Sequence, residues 1–423
     1  MTHSYYNILK LVSIKNYLIL TFNVEIDEAQ RMYSQLYFDY NATTPCLKEV
    51  VDCMLPYFYQ DFGNPSSSHH PYGWLAKSAI EDATLTIAKN LGVSPRSLVY
   101  TSGATESINM VLKGIARKMQ SKGNHIITTK LEHKAVLDTC AFLEEDGFEV
   151  TYLDVDSEGL ISTEMLNKML RPDTILVSIL YANNETGTIQ PLDEISKLTH
   201  ENGSLLFSDT TQALGKVDLS KVFKLVDFAC FSAHKIYGPK GIGLVFIKDN
   251  EDGNGLPSLI QGGGQQKNQR GGTLNTPLIV GFSKAIALAN DNLKVEIERL
   301  GTLRNKLEKG LLKIELAISN STTSQRLPNT VHISFPYVDG TNLLTALSRQ
   351  IALSNGSACN SASVEPSHVL TAMGVERSLA YASLRLSIGR YTTESDIEKA
   401  IEIITNEVAK QRDSNILWER RAL

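Results

Sequence analysis

The sequence predicts an α/β protein, with a large domain on a mostly parallel sheet flanked by helices and a smaller α+β domain after it. Three observations predict this. From Leu47 to Lys248 short apolar runs alternate with amphipathic stretches, which is the pattern of βα units that build a parallel sheet. Four of the amphipathic stretches close on a glycine (Gly92, Gly123, Gly147 and Gly203), the residue that supplies a left-handed helix cap at no steric cost. After Lys248 the texture changes to a Gly/Gln-rich segment and then one long helical pattern.

Taken in order, residues 1–35 read as an N-terminal extension. The apolar run 11–24 is interrupted by Lys15, which leaves nine uncharged residues against the roughly 20 a membrane span requires. No small-residue cleavage site follows, and the first arginine is Arg31, so neither a secretory signal nor an arginine-bearing presequence is predicted. Met32 stands just before the first strand, 36–39, so a start at that methionine is a further reading. Buried strands are predicted at 98–101, 125–129, 149–153, 174–180, 204–208, 226–232 and 243–247, with helices at 72–91, 104–121, 134–146 and 192–202. A strandless segment 262–273 leads into a helix from 277 to about 315. A strand at 330–335, a helix at 341–349, a small-residue loop at 355–363 and a strand–helix pair, 383–388 and 394–411, complete the chain. The large domain is placed at 36–290, its first residues contributing to the small domain, and the small domain at 291–423.

Composition narrows the function. With 42% hydrophobic and 21% charged residues over 423 the chain is globular, and at roughly 150 residues per domain it holds two or three domains, or one large domain and a companion. Lys and Arg number 41 against 46 Asp and Glu, so no basic surplus points to nucleic acid or an anionic membrane. The five cysteines include no CxxC pair, which argues against a disulfide framework or a structural zinc site and for a reducing compartment. GxxxxGK[ST], GxGxxG and HExxH are all absent.

The chemistry gathers at predicted strand ends, where parallel sheets bind ligands. At Thr101-Ser102-Gly103-Ala104-Thr105-Glu106 a strand passes through glycine into a helix, whose first amides, with the Ser102 and Thr105 hydroxyls, suit a phosphate; helix capping explains the same residues. Phe231-Ser232-Ala233-His234-Lys235 places a lysine at a strand end beside a serine and a histidine, suited to a Schiff base with an aldehyde cofactor that carries a phosphate. Asp209 ends the preceding strand, 26 residues before Lys235, where a carboxylate would keep the ring nitrogen of pyridoxal phosphate protonated. His133 in a fourth strand-end cluster is placed to lie over a ring and move protons, although a lone histidine is more often packed or surface. The Tyr181–Gly187 stretch offers amides to a substrate carboxylate, or is simply a turn. Cys53, Cys140 and Cys230 read as packed thiols; Cys359, among small polar residues and glycine, reads as exposed and reactive.

With these residues in view the sequence resembles the pyridoxal-phosphate cysteine desulfurases of the housekeeping iron-sulfur-cluster assembly type, class V aminotransferases of the type I pyridoxal-phosphate fold. The similarity runs from Leu36 to about Glu419 through YFDYNATTP (37–45), FGNPSS (62–67), TSGATES (101–107), EHKAVLDTC (132–140), NNETG (183–187), SDTTQ (208–212), SAHKIYGPKGIG (232–243), RGGTLNTP (270–277), NGSACNSASVEPS (355–367) and LRLSIGRYTT (384–393). The resemblance implies that Lys235 holds the cofactor, Asp209 pairs with its ring nitrogen, Gln212 hydrogen-bonds its phenolic oxygen, and His133 stacks on the ring and shares in proton transfer. Ala104, Thr105, Ser232 and His234 would bind the phosphate, with Thr273 reaching in from a second subunit, so a homodimer is expected. Asn184, also beside the cofactor, and Arg385 would hold the substrate carboxylate, for which the guanidinium fork is suited. L-cysteine would replace Lys235 on the cofactor, its sulfur would pass to the Cys359 thiolate, and alanine would leave. The persulfide on Cys359 would then go to an iron-sulfur scaffold or another sulfur acceptor.

No resident metal is implied; Cys359 would meet a nascent cluster only in a complex. The sequence departs from the family where Asn355 and Asn360 replace a serine and a threonine beside the loop, where Gln265-Gln266-Lys267 replaces His-Glu-Arg, and where the chain stops at Leu423, short of the usual scaffold-docking tail. None of these removes a catalytic group. Two other readings carry different tests: an aminotransferase or lyase of the same fold in which Cys359 is only structural, and a non-catalytic sulfur-assembly subunit, against which Lys235, Asp209, His133 and Cys359 together argue. The expected location is cytoplasmic, with the mitochondrial matrix or a related organelle as the alternative.

Overall fold

The structure, a computed structural model, describes residues 35–250, 255–355 and 366–420. Its centre is a seven-stranded sheet of β2 (Leu98–Thr101), β3 (His125–Thr129), β4 (Glu149–Leu153), β5 (Thr174–Ser178), β6 (Leu205–Asp209), β7 (Phe228–Ser232) and β8 (Gly243–Ile247), in the order β2-β8-β7-β6-β5-β3-β4. Only β8 runs antiparallel to its neighbours. Because successive side chains of a strand face opposite sides, β8 sends Leu244 and Phe246 to one core and Val245 and Ile247 to the other.

Two long helices, α3 (Pro71–Leu91) and α9 (Thr276–Asp291), cover the first face with Ile80, Ile87, Ile279 and Phe282. On the opposite face lie α4 (Ala104–Met119) and α5 (Lys134–Glu145), with Ile108, Leu112 and Val136. α3 ends as the sequence predicts, on Gly92 at φ +69. At the β2 edge the side chain of Gln266 does what a neighbouring strand would do: its amide accepts from the Tyr100 N–H at 2.7 Å and donates to the Tyr100 carbonyl at 2.9 Å.

The predicted single helix from 277 to about 315 is two. α9 stops at Asp291 and α10 (Leu293–Leu311) begins beyond Asn292, whose φ −110 and ψ 2 are not helical. The break lets α9 pack on the large sheet while Leu300, Leu303, Leu307 and Leu311 of α10 pack in a separate core. That second core sits on the antiparallel sheet of β9 (Ile318–Ser319), β10 (Thr330–Ser334) and β12 (Ser383–Ser387), order β12-β10-β9, against α14 (Glu394–Asp413). Phe38, from the other end of the chain, is buried in it. β1 (Leu36–Tyr37) pairs in parallel with β11 (Ile351–Ala352), and Asp39 bridges to Ser387.

The predicted strand 174–180 ends at Ser178 and the strand 226–232 begins at Phe228. Short helices not foreseen include α1 (Lys48–Met54), α2 (Pro56–Tyr59), α6 (Thr163–Met169), α8 (Val222–Leu225), α12 (His368–Ala372) and α13 (Arg377–Tyr381). Among the described residues no helix is long and apolar enough to cross a membrane. The expectations for residues 1–34 and for Cys359 lie outside the described residues.

Candidate active site

A cavity of about 550 Å³ opens at the carboxyl ends of the large sheet. Ala104, Thr105, His133, Asn184, Asp209, Gln212, Ser232, His234, Lys235 and Arg385 all line it, so a chain separation of nearly three hundred residues closes into one site. Thr273 does not line it; it lies exposed on the surface of this chain.

Lys235 is delivered by the single 3-10 turn Ala233–Lys235 that follows β7. Its Nζ donates to the carbonyls of Asn41 at 2.7 Å and Ala42 at 2.8 Å. Asp209, the last residue of β6, accepts at Oδ1 from the Thr211 N–H (2.9 Å) and from Cys230 Sγ (3.3 Å). Burial and the adjacent Asp209 push the Cys230 thiol well above its ordinary range, so it stays protonated and donates. Cys230 is therefore more than a packed thiol, and Cys53 is only half-buried; Cys140 is the one of the three that is simply packed, with no exposed surface.

The helix that begins at Ala104 has Gly103 at its N-cap and no side-chain cap, so its first amides are left for a ligand. The glycine pair that allows this is tight. A Cβ on Gly243 of β8 would lie 2.5 Å from Gly103 Cα, which keeps strand and helix start in contact. Glu106, the last residue of the 101–106 segment, carried no assigned role in the sequence. It accepts the Ser102 amide at 2.7 Å and takes the Arg270 fork at 2.8 and 3.2 Å. Burial opposes its charge, but Arg270 and Ser102 outweigh burial and hold its carboxyl below the ordinary range. A carboxylate in the first turn is thereby paired rather than set against an incoming anion.

His234 faces Thr43 Oγ1 through Nδ1 at 3.1 Å. Burial first, then Lys235, Lys240 and Lys216, lower its pKa to about 4, so it enters the site neutral. His133 caps α5, its Nδ1 accepting from the Ala135 N–H at 3.1 Å, with its ring exposed to the cavity. Beside it Glu132 is buried, accepting at Oε1 from Thr129 Oγ1 (2.9 Å) and the Leu180 N–H (2.8 Å), while Oε2 has no partner. Burial pushes this carboxyl up to about 8.

Arg385 is 2% exposed; its Nη2 pairs with Asp39 Oδ1 at 2.7 Å and its Nη1 reaches the Asn184 carbonyl at 3.4 Å. The NNETG turn that presents Asn184 is built by Asn183, whose Oδ1 accepts the Glu185 and Thr186 amides. Asn41 and Thr43 also line the cavity, while Asp39 and Lys216 stand behind it on Arg385 and Gln212; none carried an assigned role in the sequence. The first three lie in the YFDYNATTP motif, and the signal for Lys216 was a lysine four residues after Gln212 in an apolar context.

The donor set fits pyridoxal phosphate. An uncapped helix start with Ser232 and His234 beside it suits the phosphate, Asp209 a ring nitrogen, Lys235 an aldehyde, and the 550 Å³ cavity admits a group of that size. Fold and site together define a pyridoxal-phosphate-dependent enzyme of fold type I. More narrowly, the chain belongs to the aminotransferase class-V family, whose model matches residues 36–400. It is 45% identical over 385 residues to "Cysteine desulfurase IscS" of Anaeromyxobacter sp. (strain Fw109-5), covering 91% of this chain and 95% of that protein. Among solved structures it is similar to "NIFS-LIKE PROTEIN", with a TM-score of 0.82, 39% identity, and 89% of this chain and 99% of that one covered. It is also similar to "SspA in complex with cysteine", with a TM-score of 0.74, 37% identity, and 85% and 100% covered.

Proposed function

We propose that the chain is a cysteine desulfurase that converts L-cysteine to L-alanine and carries the sulfur as a persulfide on Cys359 toward iron-sulfur cluster assembly. The observation that carries the reading is the convergence of Lys235, Asp209, His133, Asn184 and Arg385 on one cavity at the strand ends. The 45% identity to a cysteine desulfurase over nine-tenths of the chain supports the substrate.

Pyridoxal phosphate, when bound, supplies the electron sink that eases loss of the Cα proton and weakens the C–S bond. The residues do the rest. Lys235 would hold the cofactor's aldehyde, and its Nζ, as a free amine, would take the Cα proton. Arg385 binds the substrate carboxylate, with Asp39 holding one end of its guanidinium and Asn184 beside it. His133, over the cavity, moves a proton at Nε2, because its Nδ1 is committed to the Ala135 N–H. Asp209 would keep the ring nitrogen protonated, Gln212 would donate to the phenolic oxygen, and Ala104, Thr105, Ser232 and neutral His234 would cradle the phosphate with the helix start. In the balance, the C–S bond of cysteine breaks, the S–S bond to Cys359 forms, and the thiol proton ends on alanine.

Thr273 completes the phosphate site of a second copy in this reading, so the enzyme is a homodimer. The apolar side chains Leu55, Phe58, Tyr59, Phe62, Trp74 and Leu75, exposed among the described residues, support such an assembly. The chain divides into domains at 36–290 and 291–423. Incubating the purified protein with L-cysteine and a thiol reductant tests the function; equal amounts of sulfide and alanine are expected, whereas sulfide with pyruvate in place of alanine favours a lyase, and mercaptopyruvate without sulfide an aminotransferase.

A further inference from the structure

Lys216 is 8% exposed, lies just beyond the end of β6, and faces the cofactor cavity only through other residues. Its Nζ donates to Gln212 Oε1 at 2.6 Å and to Asn41 Oδ1 at 3.3 Å, two neutral amide oxygens. Burial, then the charges of Lys235 and Arg385, lower its pKa to about 7, a cost that a surface lysine would avoid. The established chemistry gives it nothing to do.

What it does to Gln212 is specific. A side-chain amide has one acceptor oxygen and one nitrogen with two N–H groups. The oxygen is taken by Lys216. The nitrogen donates to the Asn41 carbonyl at 2.9 Å, and a carbonyl can only accept, so the amide is oriented from both ends. One N–H remains, and Gln212 lines the cavity. Asn41 is itself held, its Nδ2 on the Asn184 carbonyl (3.0 Å) and Thr330 Oγ1 (2.9 Å), its Oδ1 also accepting from Asn329 at 3.0 Å, and its N–H on Ser387 Oγ at 2.9 Å. The hub therefore ties the cofactor wall to β10 and β12 of the second core.

We infer that Lys216 is a positioning residue that locks the Gln212 amide with its donor toward the cavity, so that Gln212 can only stabilise negative charge on the cofactor's phenolic oxygen. This deepens the proposed function and rests on it. Without Lys216 only the Asn41 carbonyl still orients the amide, so the turned amide, its oxygen toward the phenolic oxygen where two acceptors repel, gains population.

The readout is the cofactor's visible absorption as a function of pH. A donor on the phenolic oxygen favours its charged form and so loosens the proton shared with the lysine nitrogen; losing the donor raises the midpoint of the absorption change. In holoenzyme, Lys216→Met is expected to raise that midpoint by about one unit or more. Gln212→Leu should raise it as far, and the double variant no further than Gln212→Leu alone. An unshifted midpoint in Lys216→Met, or shifts that add in the double variant, overturns the inference. Failure of the wild type to bind pyridoxal phosphate would instead overturn the functional reading. Should Lys216→Met not fold, neutron diffraction from wild-type holoenzyme decides the same point: Gln212 Oε1 on Lys216 and Nε2 on the phenolic oxygen is expected, and the reversed amide contradicts it.

Discussion

Asp209 accepts the Thr211 amide and the Cys230 thiol on the same oxygen, an arrangement an asparagine carbonyl would keep. Asp209→Asn is therefore expected to retain fold and cofactor while losing at least about 100-fold in kcat, because an amide cannot hold the ring nitrogen protonated; steady-state kinetics beside the absorption spectrum checks it. Glu132 makes a prediction of opposite kind. Its carboxyl titrates near 8 in the fold, chiefly through burial, against 4.5 for the free side chain, so the stability it contributes is full below pH 4.5 and is lost as pH rises through 8. Glu132→Gln cannot ionise, keeps the acceptor for Thr129 and Leu180, and should stand level with or above the wild type at pH 8, where the wild type has lost up to about 4 kcal/mol relative to the variant since pH 4.5. Urea unfolding at both pH values measures the difference. At this scale the strand-end residues Lys235, Asp209 and Ser232 were readable, because each lies at the end of an apolar strand or within three residues of it. Asp39 and Asn41 were not assigned, because their roles come from partners such as Arg385 and Ser387, each 346 residues away.

Strand ends carry the site, and all seven strands of the large sheet were legible in sequence, with β5, β6 and β7 shifted by one or two residues. β2, β3, β4 and β8 fall on their predicted residues, since short apolar runs bounded by turn residues have few alternatives. The break at Asn292 was hidden because α9 and α10 continue one apolar rhythm, and only tertiary packing assigns the two halves to different cores. α1, α6, α8, α12 and α13 are four to seven residues long, too short to show a helical period. The contact of β8 with the start of α4 gives a prediction of its own. Gly243→Ala sets a Cβ 2.5 Å from Gly103 Cα and 2.8 Å from the Phe231 carbonyl oxygen, backbone atoms that cannot swing aside. It is expected to cost about 1–3 kcal/mol of stability and to weaken cofactor binding by displacing the phosphate cradle; chemical denaturation and a cofactor titration read the two effects.

Across the whole molecule, the second core and the large sheet meet at the site through Asn41 and Arg385, and the exposed face around Phe58 and Trp74 is the proposed contact for a second copy. Sedimentation of the holoenzyme should give twice the chain mass of 46.7 kDa, and Phe58→Asp should return it to the monomer with loss of activity. The resemblance of ordered motifs from residue 36 to about 419 made the family readable from sequence; the break in the helix, the Glu106–Arg270 pair and the buried Lys216 needed the fold. The central claim concerns where the sulfur goes. Mass spectrometry of the holoenzyme after a short pulse of L-cysteine should find one added sulfur, located by peptide on Cys359, and Cys359→Ser should bind the cofactor yet form no persulfide and release no sulfide. Added sulfur on Cys46, Cys53, Cys140 or Cys230 in its place, or full sulfide release by Cys359→Ser, would contradict the account.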